Sequence, residues 1–461
     1  MLSCFPSWAT LALDLRLVMK IHSGNNIIRA IASSLLLSFG ATTFAAGPNF
    51  QSILTKGQAM GDGWVAEYIE YHRRGPALAI GVGTSLQADP DTKTPAVYYR
   101  SSESSPFKSI WRKPPPADIG WDTVRSHSFQ GGLHVGSDRV AFFSGIHEFD
   151  SYFGNSSTWT YSTQVTTNGS QLGSSLVGYV SNWGGGEGSY GHYGYSGHQL
   201  VVTSSSFSNG KSSTSVGTRS PGYALVKEGL LDESNWTGSI INASRPDVDT
   251  GDFLVHEVSL KPLSVTIFRA NGDSLEPWRD SPYNFRGTNS LYLYGGGQSS
   301  RGRYIGTGTV LNGGAFNPGL DVFGEATATT FVPIAVFGEL IQGTSHKFAG
   351  AGNFIGEEGD LLVYSADVSA NPGVLSSEKV LLGHRNGKSF VMLERGQSMF
   401  GSTISFFGVR EGSLYNNTIT FSYTLADGRS GIAMMNVVPE PGTLAALGLG
   451  ALLMKLRRSR I

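Results

Sequence analysis

The chain has 461 residues, of which 15% are charged and 11% are aromatic, and its formal net charge is −1. It contains 61 glycines and a single cysteine, Cys4, which excludes a disulfide framework. Residues 46–438 contain 27 basic and 33 acidic residues, and this net charge of −6 argues against a nucleic-acid partner. Low charge content with abundant Gly, Tyr, Phe and Val predicts an all-β chain that is stabilised by packing alone.

The N-terminal segment has the three parts of a secretory signal peptide. Lys20 and Arg29 supply positive charge, an apolar run follows, and small residues precede a predicted cleavage after Ala45. The residues before Met19 do not suit such a peptide, so we expect translation to start at Met19. We therefore assign residues 1–45 to a signal peptide. The alternative, a helix in a folded core, has no amphipathic partner downstream.

Residues 46–437 are predicted to form an all-β repeat domain. Short β-branched and aromatic runs are bounded by Gly, Ser, Asn or Asp, and apolar residues almost never recur at helical spacing. Five of these runs resemble one another and recur irregularly, about 60 to 90 residues apart. They are residues 136–143, 197–202, 287–294, 359–364 and 416–421.

A unit of about 60 residues with three or four strands cannot bury both faces of its sheet, so neighbouring units must stack. This favours a β-propeller or a related repeat array, and a two-sheet β-sandwich is the alternative. The Gly- and Tyr-rich residues 182–198 and the Ser-rich residues 203–215 are predicted to be loops or irregular edges between units.

Residues 186–191 satisfy the pattern G-x-G-x-x-G. Dinucleotide binding requires a helix directly after this pattern, and the glycines that follow exclude one. The same segment offers flat aromatic rings on which sugars stack, and the alternative is that these rings cover a sheet edge. The candidate platform residues are Trp183, Tyr190, Tyr193 and Tyr195.

Three carboxylates within residues 247–252 are hard oxygen ligands of the kind that Ca²⁺ prefers. The segment departs from a helix-loop-helix calcium site, because Gly251 and Val258 stand where such a loop needs ligands. We favour a plain solvated turn, and we expect no cofactor, with Ca²⁺ as the alternative.

Other candidate catalytic residues do not form a convincing pattern. Glu148 and Asp150 would lie on one face of a strand, whereas catalytic carboxylate pairs flank a cleft and usually come from different strands. The ten histidines show no H-x-H or H-E-x-x-H spacing, and His72 is expected at the surface. Because a G-x-S-x-G nucleophile elbow is also absent, we predict that the protein is not an enzyme.

Near the end of the domain, Asp427-Gly428 separates two apolar runs and predicts a hairpin. Residues 389–397 predict a strand that ends in a glycine turn. The strand-and-turn layout is similar to the tandem repeats of exported proteins with interchangeable surface anchors, which carry an Asn-x-x-Gly-x-x-Ala-Phe signature. Residues 138–142 keep the end of that signature, and residues 417–421 lack its Gly and Ala.

Residues 438–461 contain a Pro-Glu-Pro triplet, an apolar run and a basic tail in that order. Thirteen apolar residues span about 20 Å as a helix, against about 30 Å of bilayer hydrocarbon, so the run is a marginal anchor. The basic tail would keep the C-terminus in the cytoplasm. The triplet and the tail are Pro439, Glu440, Pro441, Lys455, Arg457, Arg458 and Arg460.

This arrangement resembles the PEP-CTERM sorting signal. In that family the signal is read by exosortase, a membrane-embedded transpeptidase-like enzyme of exopolysaccharide-producing Gram-negative bacteria. The resemblance implies export, a transient stay in the inner membrane, and then a place at the cell surface or outside the cell. The partners that it implies are exosortase, the inner membrane and exopolysaccharide.

These features predict a non-catalytic surface or extracellular-matrix protein. The alternatives are a secreted carbohydrate-binding or carbohydrate-active protein, which the aromatic segment favours, and a calcium-stabilised adhesin.

Overall fold

The computed structural model describes residues 48–437 apart from short internal segments. These segments are residues 114–116, 121–122, 151–154, 182–185, 188, 209, 220–222, 248, 262, 294–296, 313–314 and 370–377. Signal-peptide residues 1–45, with Ala45, lie outside the described residues. The sorting segment lies outside them too, with Pro439, Glu440, Pro441, Lys455, Arg457, Arg458 and Arg460.

The described residues form 34 strands and no helix, which confirms the predicted all-β class. Accordingly, this part of the chain offers no helix of the length and apolarity needed to cross a bilayer. Strand β1 (Phe50–Thr55) comes first, and antiparallel sheets built from successive strands follow in chain order.

The strands of sheet 1 are β2 (Trp64–Arg74), β3 (Ala77–Leu86), β4 (Asp89–Arg100) and β5 (Lys108–Arg112). Those of sheet 2 are β6 (Ala117–Gly120), β7 (Thr123–Val135), β8 (Arg139–Asp150), β9 (Asn155–Thr166), β10 (Gln171–Ser181) and β11 (Gly186–Glu187). Those of sheet 3 are β12 (Ser189–Ser196), β13 (Gln199–Ser208), β14 (Lys211–Arg219) and β15 (Tyr223–Asp232). Those of sheet 4 are β16 (Thr237–Ala243), β17 (Phe253–Leu260), β18 (Leu263–Asn271) and β19 (Ser274–Arg279).

The strands of sheet 5 are β20 (Tyr283–Phe285), β21 (Thr288–Leu293), β22 (Gln298–Ser300), β23 (Arg303–Asn312), β24 (Ala315–Ala326) and β25 (Phe331–Val336). Those of sheet 6 are β26 (Lys347–Glu358), β27 (Leu361–Ser369), β28 (Glu378–Arg385) and β29 (Lys388–Glu394). Those of sheet 7 are β30 (Ser398–Met399), β31 (Ser402–Gly408), β32 (Leu414–Tyr415), β33 (Thr418–Leu425) and β34 (Ser430–Asn436).

Each sheet has four main strands, and sheet 7 takes its fourth strand from the start of the domain. Strand β1 pairs antiparallel with β34, with Phe50 opposite Met435 and Leu54 opposite Ile432. Sheets 3 and 4 touch through only two residue pairs between β15 and β16, so they count as separate sheets. In sheets 5 and 7 the first strand is interrupted, as β21 with β22 and as β31 with β32, each pair lying along one neighbour.

Apolar clusters of the described residues join every sheet to the next, and the last sheet to the first. Because burial of these faces is the main favourable term in folding, the clusters hold the sheets in a closed ring. Each cluster contains residues of two adjacent sheets, and one such pair of members from each interface, from sheets 1–2 to sheets 7–1, is Val97 and Phe142, Ala141 and Leu200, Val201 and Phe253, Ile267 and Leu293, Phe323 and Tyr364, Val363 and Phe421, and Ile432 and Tyr98. The described residues are therefore a β-propeller of seven blades, and the sandwich alternative is wrong.

A turn after the first main strand of each sheet repeats around the ring. The short edge strands β6, β20 and β30 are not counted as main strands, so the first main strands end with β2, β7, β12, β16, β22, β26 and β32. These seven turns, at residues 75, 136, 197, 251, 302, 359 and 417, lie 51 to 61 residues apart. Four of the five similar runs begin at such turns, and the fifth, at residue 287, lies before β21 instead. The turns are thus more evenly spaced than the similar runs in the sequence, which are about 60 to 90 residues apart.

Local predictions were right at the hairpins and wrong at the polar strands. The Asp427-Gly428 turn joins β33 to β34, and Gly428 adopts a φ of 86° that favours glycine. Residues 389–394 lie within β29, and the predicted glycine turn follows at Gly396. However, the predicted loops at 182–198 and 203–215 contain β12 to β14, because cross-strand pairing outweighs the low strand propensity of Gly and Ser.

Candidate functional site

Residues from five of the seven sheets meet at a small cavity, which we place on the axis of the ring. This cavity of about 30 Å³ is lined by His72 of β2, His134 of β7, Tyr195 of β12, Pro246 after β16 and Glu411 between β31 and β32. Sheet 5 reaches the same place, since the Nε2 amide of Gln298 donates to the carbonyl of Pro246 at 2.5 Å. We call His72, His134, Arg245, Gln298 and Glu411 the axial cluster.

Three histidines occupy the first strands of three consecutive sheets. The backbone N–H of Val135 donates to Nδ1 of His72 at 3.2 Å, and Nε2 of His134 donates to the carbonyl of His192 at 3.2 Å. His192 Nδ1 donates to the Gly132 carbonyl, and its Nε2 accepts from Ser162. Burial lowers the pKa of both His72 and His192 to about 3, so the rings are neutral and serve as links between strands.

An ion pair crosses the axis from sheet 4 to sheet 7. The Nη1 atom of Arg245 lies 3.0 Å from Oε2 of Glu411. Burial raises the pKa of Glu411 to about 7, and the opposing charge of Arg245 and a hydrogen bond from Gln298 limit that rise. This pair joins sheet 4 to sheet 7 beside the axial cavity, which Glu411 lines.

The side chains of the axial cluster fill the space around the axis almost completely. A cavity of about 30 Å³ holds a water molecule and leaves no room for a substrate. Within the described ranges, no three His, Cys, Asp or Glu side chains are placed to hold a metal ion. The cluster therefore joins the sheets at the axis.

The interface between sheets 7 and 1, here called the seam, contains a second polar network. The Tyr71 hydroxyl donates to the carbonyl of Thr420 at 2.9 Å and accepts from the backbone N–H of Arg410 at 3.1 Å. Burial raises the pKa of Tyr71 to about 12, so it stays a neutral donor. Arg73 is buried and donates to Thr418, Thr420 and Glu103.

A cleft of about 560 Å³ opens in the seam beside this network. The charged groups that line it are Lys56, Glu67, Glu70 and Arg410. Phe406 of β31 also lines the cleft, and 64% of this residue's surface is exposed.

The sequence-predicted calcium segment is a self-bonded turn that is partly buried. Asp247 accepts backbone N–H bonds from Asp249 and Thr250 at 2.8 and 2.9 Å, and from Arg301 of the next sheet at 2.5 Å. Asp252 forms an ion pair with Arg269. The carboxylates thus hold sheet 4 and its connection to sheet 5, and the expectation of a solvated turn is wrong for the buried Asp247 and Asp252.

The remaining predicted candidates lie apart from one another. Glu148 is paired with Arg125 of the neighbouring strand β7, and Asp150 ends β8. Tyr195, predicted as a sugar platform, is buried between sheets 2 and 3, where it packs on Leu200. Trp183 lies outside the described residues, and the segment of Tyr190 and Tyr193 is strand β12.

His72 is the one predicted position that belongs to the axial cluster, and its expected surface location is wrong. Strand β2 brings it to the axial cavity, where its ring lies 4.8 Å from that of His134. The other cluster residues were not singled out because successive members of the cluster are 53 to 113 residues apart in the chain. Their shared position near the end of a first strand is the signal that would have found them.

The comparisons with known proteins identify the sorting signal. The PEP-CTERM protein-sorting motif matches residues 437–460, directly after β34. The chain thus carries a PEP-CTERM signal, and this signal implies export through the membrane to the cell surface and processing by exosortase. No curated protein sequence matches the chain.

Several solved structures resemble the fold. The β-propeller domain of the Trilobed protease from Pyrococcus furiosus is 8% identical with a TM-score of 0.39, over 80% of this chain and 94% of that one. Pyrococcus horikoshii acylaminoacyl peptidase is 8% identical with a TM-score of 0.40, over 82% of this chain and 53% of that one. Polysaccharide lyase Uly1 is 7% identical with a TM-score of 0.34, over 67% of this chain and 90% of that one. These similarities concern the fold alone and indicate no activity for this chain.

Proposed function

We propose that this protein is a non-catalytic propeller that exosortase releases from the inner membrane and that then works at the cell surface, in contact with exopolysaccharide. The observation that carries the proposal is the position of the sorting motif. The motif begins at residue 437, and β34, which pairs with β1 to close the ring, ends at Asn436. Cleavage at the Pro-Glu-Pro triplet would therefore leave every strand of the ring in place.

The plugged axis supports a non-catalytic role. Active sites are concave and admit a substrate, whereas the buried titratable groups on the axis surround space for a single water molecule. The predicted cut after Ala45 also spares the ring, because β1 begins at Phe50.

Mass spectrometry of the exported protein tests the processing step. We expect a C-terminus close to Pro441 in mature material. When Pro439, Glu440 and Pro441 are all replaced by alanine, we expect a chain that still ends at Ile461 in the membrane fraction. A matched variant with Pro372→Ala, a proline of the domain, should be processed normally. Mature protein that still ends at Ile461 would contradict the proposal.

The proposal that the protein is not an enzyme is tested separately. The exported protein is incubated with peptide and polysaccharide substrates, because the structural neighbours include peptidases and a polysaccharide lyase. We expect no turnover above that of a heat-denatured sample. Hydrolysis or lyase cleavage of either class would show that the protein is an enzyme.

A further inference from the structure

The seam cleft has the size and composition of a ligand site. Its volume of about 560 Å³ lies within the range of about 300–1,000 Å³ of small-molecule sites. It is lined by polar and apolar groups of the first and last sheets, and it is separate from the axial cavity, which Glu411 lines.

Phe406 is the most exposed large apolar side chain of the cleft, which Ile69 and Val409 also line. Its neighbours in β31, Ile404 and Phe407, are buried, whereas its own ring is largely exposed. A register shift between Ile404 and Phe406 marks the irregular pairing of β31 with β33 at this point. The result is an aromatic face open to solvent beside charged groups.

The charged groups of the cleft are balanced and partly fixed in place. Two are cationic, Lys56 and Arg410, and two are anionic, Glu67 and Glu70. The buried Glu70 carboxylate lies 2.5 Å from Nη2 of Arg410, whose side chain is 43% exposed. Glu70 thus forms an ion pair with a guanidinium that still faces solvent, and this guanidinium supplies several hydrogen-bond donors.

Hydrogen-bond acceptors line the same cleft. The Glu67 carboxylate accepts from the Ser85 hydroxyl at 2.8 Å, which fixes one of its oxygens near the cleft. Ser422, Thr424 and Ser430 add hydroxyl or backbone groups to the lining. A ligand here meets both donors and acceptors, no excess of either charge, and one aromatic face.

We propose that the seam cleft binds a neutral saccharide, with a sugar ring against Phe406 and its hydroxyl groups bonded to Glu67 and Arg410. A sugar ring has an apolar C–H face that packs on an aromatic ring, and its hydroxyls both donate and accept. The balanced charge favours a neutral sugar over a uronate. This inference extends the proposed role at the cell surface, and it is tested on exported protein, so its failure leaves the sorting claim standing.

Calorimetric titration of the exported protein with maltotriose, cellotriose, mannotriose and tri-galacturonate tests the proposal. We expect at least one neutral trisaccharide to bind more tightly than tri-galacturonate. The Phe406→Ala variant should bind that sugar at least tenfold more weakly, and Glu67→Gln should weaken binding by a smaller factor.

The matched control is Phe207→Ala. Phe207 lies on β13 of sheet 3 and is 65% exposed, so it loses an equally exposed ring far from the seam. This variant should bind like the wild type, and both Phe variants should keep the wild-type melting temperature. The proposal is overturned if no neutral sugar binds, if tri-galacturonate binds best, or if Phe406→Ala and Phe207→Ala behave alike.

Discussion

At the scale of single residues, Arg73 links the two ends of the ring. Its guanidinium donates to the Thr420 hydroxyl at 2.8 Å, to Glu103 at 2.7 Å and to the Gly75 carbonyl at 2.8 Å, and only 2% of the side chain is exposed. A buried Arg of this kind cannot be replaced without leaving acceptors unsatisfied.

We predict that Arg73→Met lowers the free energy of unfolding by about 2–4 kcal/mol, because methionine fills part of the volume and satisfies none of these acceptors. Urea unfolding measures this change. The control is Arg125→Met, whose ion pair with Glu148 is exposed to solvent and should contribute less than about 1 kcal/mol. Equal effects of the two substitutions would argue against a structural role for Arg73 in the seam.

The roles of individual residues were harder to predict from the sequence than the fold class or the strands. His72 was noticed and expected at the surface, because nothing in Tyr71-His72-Arg73 shows which neighbours fold against it. Arg245 and Glu411 become partners only after two whole sheets, sheets 5 and 6, have been placed between them. Such pairings depend on tertiary structure, and local patterns do not encode them.

At the scale of strands, β1 is the element on which ring closure depends. It supplies the fourth strand of sheet 7 through pairing with β34, and its Leu54 packs into the cluster that contains Ile432 and Tyr98. Leu54 is the fully buried side chain of this short strand, and Phe50 and Ile53 are half-buried against the neighbouring clusters.

We predict that Leu54→Ala destabilises the domain by about 2–4 kcal/mol, since it leaves a cavity in the seam cluster. It should also make β1 the first segment cut by a protease, and limited proteolysis with N-terminal sequencing shows this. Gln51→Ala, an exposed substitution on the same strand, should change stability by less than about 0.5 kcal/mol. A first cut elsewhere in both variants would mean that β1 does not control closure.

Strands were predictable where turn chemistry is strong. Asp427-Gly428 indicated a hairpin, and the hairpin is present. Residues 203–215 were predicted as a loop because serine is a poor strand former, yet β13 and β14 pair along their whole length there. The outcome in such segments is decided by neighbouring strands, which stabilise a sequence that has little preference of its own.

At the scale of the whole molecule, the Arg245–Glu411 pair spans the ring and makes its stability depend on pH. The pKa of Glu411 is raised to about 7 in the folded state, from an ordinary value of 4.5. Glu411 therefore contributes stability that is fully present below pH 4.5 and is lost as the pH rises through 7. Removal of Arg245 should raise this pKa further and deepen that loss.

We predict that Arg245→Met costs little at pH 5, where Glu411 is protonated, and about 1–3 kcal/mol more at pH 9, where a buried carboxylate has lost its partner. Urea unfolding from pH 5 to pH 9 measures the difference. Arg286→Met, which removes an exposed ion pair with Glu339, should show a small effect that is the same from pH 6 to pH 9. If Arg245→Met changed the free energy of unfolding by the same amount from pH 5 to pH 9, the axial role of the pair would be refuted.

Fold class was predictable from composition and period, and the number of blades was not. The similar runs at residues 136, 197, 359 and 416 were real markers of the repeat, whereas the turns at 75, 251 and 302 have different sequences in the same backbone position. Ring closure joins residues about 380 positions apart, and no local signal reports it. The similarity to tandem-repeat surface proteins stays a prediction.

The pairing of β1 with β34 also sets a sequence of events during secretion. A chain that crosses the membrane from its N-terminus delivers β1 first, and this strand has no partner until residues 430–436 follow it. The domain therefore cannot complete its fold while translocation is in progress. Because the sorting motif begins one residue after β34, the closing strand and the motif are adjacent in the chain and would be delivered together. A chain truncated before that point would lack both the closing strand and the signal, so unfinished molecules would not be released as mature protein.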